Sequence, residues 1–178
     1  IGKTNARFDR EKLLAFNTQW VARVSENRLL EAFKDFLSVI GKTDSAPNDE
    51  TLARILRACA GFRTFSDVMT KAGFLFVTDD GYDFDSKAVQ KVLAKNDGEG
   101  FGILASVYPK LQEQQGCSTV DFDSSIKRFC EERGIAMGAV AQPIRVAVSG
   151  STVSPSIGET LSLLGQESTL ARIRRCLS

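Results

Sequence analysis

Residues 25–41 read SENRLLEAFKDFLSVIG. Leu29, Leu30, Phe33, Phe36, Leu37 and Ile40 recur at three- and four-residue steps, the spacing that gathers side chains on one face of a helix. Ser25 is an N-cap residue type and Gly41 a helix stop. The same grammar extends in both directions. Upstream, Leu13, Leu14, Trp20, Val21 and Val24 keep helical spacing after a candidate cap at Asp9. Downstream, Asn48 can start a helix carrying Leu52, Ile55, Leu56 and Cys59, ended by Gly61. Thr64-Phe65-Ser66-Asp67 has the form of a capping box for a short fourth helix. The apolar run 74–77 has no second run to pair with, so it reads as a buried connector rather than a strand. Asp85 can cap a helix with Val89, Val92 and Leu93, and residues 99–115 and 121–133 give two more, the latter ending at Gly134. A helix containing Pro143, an irregular loop at 149–155 and two short helices complete the chain. No alternating apolar/polar run supports a sheet. The expected fold is all-α, with two small helical subdomains in series over residues 1–80 and 81–178 and a seam near 79–85.

Composition narrows the chemistry. The 178 residues carry 23 Lys plus Arg against 22 Asp plus Glu, a formal charge of +1, with 43% apolar residues. That is an ordinary globular balance with no stretch near the ~20 apolar residues of a membrane span. There is no histidine. Ser-His-Asp and Cys-His catalysis, His-ligated metals and imidazole pH switches are thereby excluded. Cys59, Cys117, Cys130 and Cys176 form no Cys-x-x-Cys pair. Their scatter indicates a reducing compartment, with Cys59 and Cys130 as small core residues. The chain starts at Ile1 rather than Met and no signal peptide precedes its first helix, so a processed product or an excised piece of something longer is expected, located in the cytoplasm.

Two local patterns resemble ligand loops and fail on spacing. Gly2-Lys3-Thr4 and Gly41-Lys42-Thr43 lack the earlier glycine of a phosphate-cradling loop, since Phe36 stands where the second copy needs it. Asp79, Asp80, Asp83 and Asp85 suggest calcium, but Gly81 comes third where an EF-hand loop needs glycine sixth. A solvated turn and a helix cap account for the cluster. The charge is also uneven. After residue 132 the cations are Arg133, Arg145, Arg172, Arg174 and Arg175, against Glu159 and Glu167. Arginine suits bidentate contacts to phosphates and base edges. It equally complements a helix C-terminus, and composition leaves both readings open.

Longer motifs go further. Gly138-Ala-Val-Ala-Gln142-Pro143-Ile-Arg145, then Ser149-Gly150, Ser154-Pro155 and Leu163-Leu164-Gly165-Gln166-Glu167, resemble the C-terminal signature of bacterial-type glutamyl-tRNA synthetases. That signature runs Gly-x-Val-x-Gln-Pro-Leu-Arg, Thr-Gly, Ser/Thr-Pro and Leu-Leu-Gly-x-Glu. Near the start, Ala6-Arg7-Phe8-Asp9 with Lys12, Leu13 and Asn17 resembles the helix that follows the family's catalytic part. The resemblance implies a helical anticodon-binding portion of a class I ligase. The family attaches glutamate to its tRNA with ATP and Mg2+, using a His-x-Gly-His-like motif and a Lys-x-Ser-Lys-like loop. Both are missing here, so this piece is expected to hold no cofactor and to be inactive alone.

The resemblance also implies site residues. Arg145 and Ser154 would read the first anticodon base, with Gln142 and Ile157 as neighbours. Pro143 and Pro155 would stiffen the segments that bring them together. The residues alone leave another reading open, in which Pro143 kinks a helix and Arg145 pairs with an acid such as Glu159. Gly61 stands where some relatives carry an arginine that helps exclude tRNA(Gln), and Arg63 lies two residues on. Ile144, Val148-Ser149 and Gly158 are further departures, Gly158 replacing a common aromatic residue. The implied partner is tRNA(Glu), with tRNA(Gln) also admissible, bound by a monomer away from membranes. The rival readings are a helical protein-interaction module and a free-standing relative of the anticodon domain without a ligase role.

Overall fold

The computed structural model describes residues 9–178. The first Gly-Lys-Thr and most of the Ala6-Arg7-Phe8-Asp9 motif lie outside the described residues. No strand occurs among the described residues, as expected. Contacts divide the chain into two compact units, Ile1–Val68 and Met69–Ser178, the division falling upstream of the expected seam near 79–85.

The first unit contains α1 (Arg10–Val21), α2 (Glu26–Val39), α3 (Asp49–Ala58) and the start of α4 (Phe65–Ala72). Its caps follow the sequence. Asp9 accepts from the N–H groups of Glu11 and Lys12, Ser25 from Arg28, and Asn48 from Thr51. Phe33, Leu37, Leu52, Ile55, Leu56, Cys59 and Phe62 are buried. Phe65 packs against Phe33, Phe36 and Phe62, with ring centroids 5.2, 5.6 and 5.8 Å away. Lys34–Asp49 and Arg57–Glu26 pairs join α2 to α3 at 2.9 and 2.7 Å. The expected core face of α1 is only partly covered: Leu14 and Val21 are half-buried, none of its residues is buried, and Leu13 and Trp20 are each 45% exposed. Periodicity shows that a helix has an apolar face, and whether a neighbour covers it is a separate matter.

The second unit begins within α4 and makes a tight turn at Gly73–Phe76, where Phe74 and Phe76 are buried. The expected connector is thus a short 3-10 helix. α5 (Ser86–Ala88) widens into a π-turn at Val89–Leu93. α6 (Lys95–Gln112), α7 (Thr119–Arg133), α8 (Met137–Ser149), α9 (Ile157–Leu164) and α10 (Gln166–Leu177) follow. Asn96, Asp97 and Gly98 have positive φ near the start of α6, so its regular part begins where the sequence places it, at 99. α8 is the central helix, packed on α6, α7, α9 and α10. Val140, Ile144, Val146, Ala147 and Val148 on it are fully buried, against Leu104, Phe122, Ile126, Leu161 and Ile173.

Arg172 of α10 is 2% exposed. Its Nε donates to Asp79 Oδ1 at 2.7 Å, Nη1 to the carbonyls of Phe74 and Val148 at 3.1 and 2.9 Å, and Nη2 to the Val77 carbonyl at 3.1 Å. The guanidinium also lies 4.8 Å from the Tyr82 ring centroid. Arg175 donates to the Tyr82 carbonyl at 2.9 Å and stacks over Tyr82 and Phe84. Of the two readings of the terminal arginines, structural use accounts for these two. Removing a buried charged partner, and leaving its acceptors bare, costs several kcal/mol. Arg172→Met is therefore expected to destabilise the second unit by about 3 kcal/mol in urea unfolding. A loss below about 1 kcal/mol, the scale of an exposed ion pair, would show that the contacts add little.

Candidate nucleic-acid interface

α8 arrives at its C-terminus with its last carbonyls matched one by one. The Ser149 hydroxyl donates to the Arg145 carbonyl, the Gly150 N–H to Val146, the Tyr82 hydroxyl to Ala147 and Arg172 to Val148. Burial pushes the Tyr82 phenol up to about 12, so it remains a donor at neutral pH. Gly150 then turns the chain with φ +73°, and a Cβ there would run into the Asp83 carbonyl. In return the Asp85 N–H donates to the Gly150 carbonyl at 2.8 Å. Glycine is needed here for both the left-handed backbone and the close approach.

The loop that follows folds back over Arg145. Its Nη1 donates to the Ser154 carbonyl at 2.9 Å, the Pro155 carbonyl at 2.7 Å and the Ser154 hydroxyl. Acceptors from residues 154 and 155, rather than a carboxylate, thus hold this nitrogen. Glu159 takes the Thr119 hydroxyl. The Ser154 hydroxyl also meets the fully buried Thr160 Oγ1 at 2.9 Å. Thr160 was not among the expected site residues, although it lies directly after Glu159 and three residues before the Leu-Leu-Gly-x-Glu motif.

Arg145 Nε is buried without a partner, and the bonds above leave Nη2 without a protein acceptor. Burial lowers the guanidinium pKa below its ordinary value, while an arginine remains charged at neutral pH. The half-buried side chain is thus anchored through one nitrogen and keeps donors for an acceptor-bearing ligand.

The other expected residues occupy distinct positions. Gln142 is exposed, one turn before Arg145 on α8. It borders a cleft of about 190 Å³ shared with Lys91, Lys95, Glu99 and Gly138. Ile157 is 6% exposed and belongs to the core, so it supports the loop from beneath. Gly158 is buried, and the Asp123 carboxylate fills the space its side chain would take. In the first unit Gly61 is exposed at φ +87° with open space where a Cβ would stand, and Arg63 is exposed. The chain there is fixed by Asp67, whose Oδ2 accepts from the Arg63 and Thr64 N–H groups at 2.9 Å each, and whose own N–H donates to the Thr64 hydroxyl. This is the expected capping box, reaching one residue further. All four cysteines are free, with Cys59 and Cys130 buried as expected.

Comparison with known proteins gives consistent results. A family model described as an anticodon binding domain matches residues 28–177. The glutamate–tRNA ligase of Myxococcus xanthus is 36% identical over all of this chain and 36% of its own length. That of Thermus thermophilus is 33% identical over 96% of this chain and 35% of its own. A crystal structure of a glutamate tRNA ligase from Elizabethkingia meningosepticum, in complex with its amino acid, superposes with a TM-score of 0.81 at 24% identity. It covers 99% of this chain and 34% of that one. The chain thus spans about a third of the length of the relatives it matches.

The capping carboxylate beneath Arg63 gives a pH test. The N–H groups of Arg63 and then Thr64 hold the Asp67 carboxyl below its ordinary value of 3.8. Its contribution to stability is fully present above 3.8 and lost as pH falls through the lowered folded value. Asp67→Ala is expected to cost about 1 kcal/mol at neutral pH. The gap from wild type should narrow as acid titrates the wild-type carboxyl. A gap that stays constant below the lowered pKa would show that the charge has no part in the cap.

Proposed function

Because the chain belongs to the anticodon-binding domain family, we propose that it recognises the anticodon of tRNA(Glu) as a portion of a longer glutamate–tRNA ligase. The observation that carries this reading is the state of Arg145. One nitrogen is pinned by the Ser154 and Pro155 acceptors, one is buried and unpaired, and one lacks a protein partner. A base edge entering beside the 154–155 loop supplies an acceptor to Nη2, the nitrogen that has no protein partner and is not among the buried unpaired atoms. Unpaired anticodon bases present their Watson–Crick edges to such groups. The prior anchoring reduces the side-chain entropy lost on binding. The Ser154 hydroxyl and the exposed Gln142 amide add groups able to donate or accept.

A second reading position lies at Gly61 and Arg63. Gly61 offers no side chain with which to exclude a competing base, which supports acceptance of tRNA(Gln) as well as tRNA(Glu). The ligation, with its ATP and Mg2+, is assigned to a catalytic part of the longer protein, and this portion is proposed to bind neither. The whole is proposed to act as a monomer in the cytoplasm, in translation. No helix among the described residues is long and apolar enough to cross a membrane.

The test is binding of anticodon stem-loops for tRNA(Glu) and tRNA(Gln) to the chain and to its Arg145→Ala variant. Loss of a well-placed arginine–base contact is expected to weaken binding by about 1–3 kcal/mol, roughly 5- to 150-fold. Both loops should bind within a few-fold of one another if Gly61 relaxes discrimination. A folded chain that binds neither loop at low salt would defeat the proposal and favour a protein-docking role.

A further inference from the structure

Along α8, Gly138, Gln142 and Arg145 are spaced i, i+4 and i+7, so they form one stripe about 10 Å long. Arg145 lies at one end beside the 154–155 loop. At the other end is the cleft that Gln142 and Gly138 share with Lys91 and Lys95. Both lysines are exposed, and neither ammonium group makes an ion pair or hydrogen bond among the described residues. Elsewhere in the same unit Lys110 pairs with Glu132 and Lys127 with Glu131, while Lys71 and Lys87, outside this cleft, make no ion pair among the described residues. The carboxylate lining this cleft, Glu99, accepts from the Asn96 amide at 2.9 Å.

The backbone under the lysines is held in place. Gly100 lies so close to the Val92 carbonyl and Leu93 that any Cβ would collide with them. This presses α6 against the turn that bears Lys91. The left-handed run Asn96-Asp97-Gly98 directly follows Lys95, which lines the cleft beside Gly100. Across the cleft, the first turn of α8 is exposed and bears small residues at Gly138 and Ala139, with no side-chain cap at its N-terminus. Two ammonium groups against one lining carboxylate, with a helix end of positive polarity and an open surface without bulky side chains, make this a place for an anion.

We propose that the cleft formed by Lys91, Lys95 and the first turn of α8 holds a backbone phosphodiester of the RNA strand whose base is read at Arg145. This rests on the anticodon reading above and extends it: Arg145 and Ser154 select the base, while the lysines set the register of the strand without regard to sequence. Phosphate contacts position and base contacts specify, and the stripe along α8 keeps the two functions apart.

The experiment is a salt titration of stem-loop binding with Lys91→Ala, Lys95→Ala and the double variant, each checked for unchanged thermal unfolding. The slope of log K against log salt should become shallower by about 0.7 for each lysine–phosphate contact removed. Affinity should fall by the same factor for the Glu and Gln loops. Lys91→Arg and Lys95→Arg should keep the wild-type slope. Lys127→Ala, the same charge change on the α7 surface, should alter the slope less. Lysine variants with wild-type slope and affinity, in a chain that binds and is weakened by Arg145→Ala, would overturn this inference alone. An equal effect of Lys127→Ala would overturn it in favour of general electrostatics. A wild-type chain that binds neither loop would overturn it together with the anticodon reading.

Discussion

The interaction on which the second unit depends is the buried guanidinium of Arg172. It meets four acceptors on three separate segments: the turn at Phe74 and Val77, the side chain of Asp79, and the end of α8 at Val148. A charge so deeply buried is tolerable only when its donors are satisfied and a counter-charge is near. Lysine has no planar fork with which to reach these acceptors. The arrangement ties the last helix to the first turn of the unit, and both to the end of its central helix. Tyr82 adds to the same junction, its ring against Arg172 and Arg175 and its hydroxyl on Ala147.

That junction sets where α8 stops, and hence where the loop carrying Ser154 begins. The last carbonyls of a helix must find partners outside it. Here they find a tyrosine, an arginine, a serine hydroxyl and a glycine N–H, each in a defined place. Gly150 then reverses the chain against Asp83, and the 154–155 carbonyls come to rest on Arg145. A second tether works at the far side of the unit. The Gln166 amide donates to the carbonyls of Leu111, Gln112 and Gln114, fastening the end of α6 to the start of α10. The Leu-Leu-Gly-x-Glu motif thus carries a structural duty at its variable position, next to the left-handed Gly165.

Much of this was legible in the sequence because its signals are local. Caps at Asp9, Ser25, Asn48, Thr64 and Asp85 need only a side chain and an N–H two or three residues away. Glycine stops at Gly41, Gly61 and Gly134 need only a left-handed backbone. The meeting of Arg145 with Ser154 was readable through the family motif, although the carbonyls of Ser154 and Pro155, invisible in a list of side chains, do much of the holding. What was hidden depends on residues far apart in the chain. Nothing near Arg172 announces partners at Phe74, Val77 and Asp79, so the terminal arginines read equally well as surface charge. For the same reason the acidic turn at 79–85 looked like a seam, although Arg172 and Gly150 draw it into the second unit. The exposure of α1 and the burial of Ile157 were hidden too, because an apolar residue's spacing does not reveal what lies opposite.

The central claim is that the second unit holds an arginine preset for a base. The most direct measurement is an NMR titration that follows the Arg145 Nε–H while an anticodon stem-loop for tRNA(Glu) is added. In the free chain this proton is buried without an acceptor. The account predicts a large, saturable shift of this signal and of the Ser154 amide, dependent on the identity of the first anticodon base. Saturable binding that leaves both signals unmoved, or moves them equally whatever that base, would contradict it.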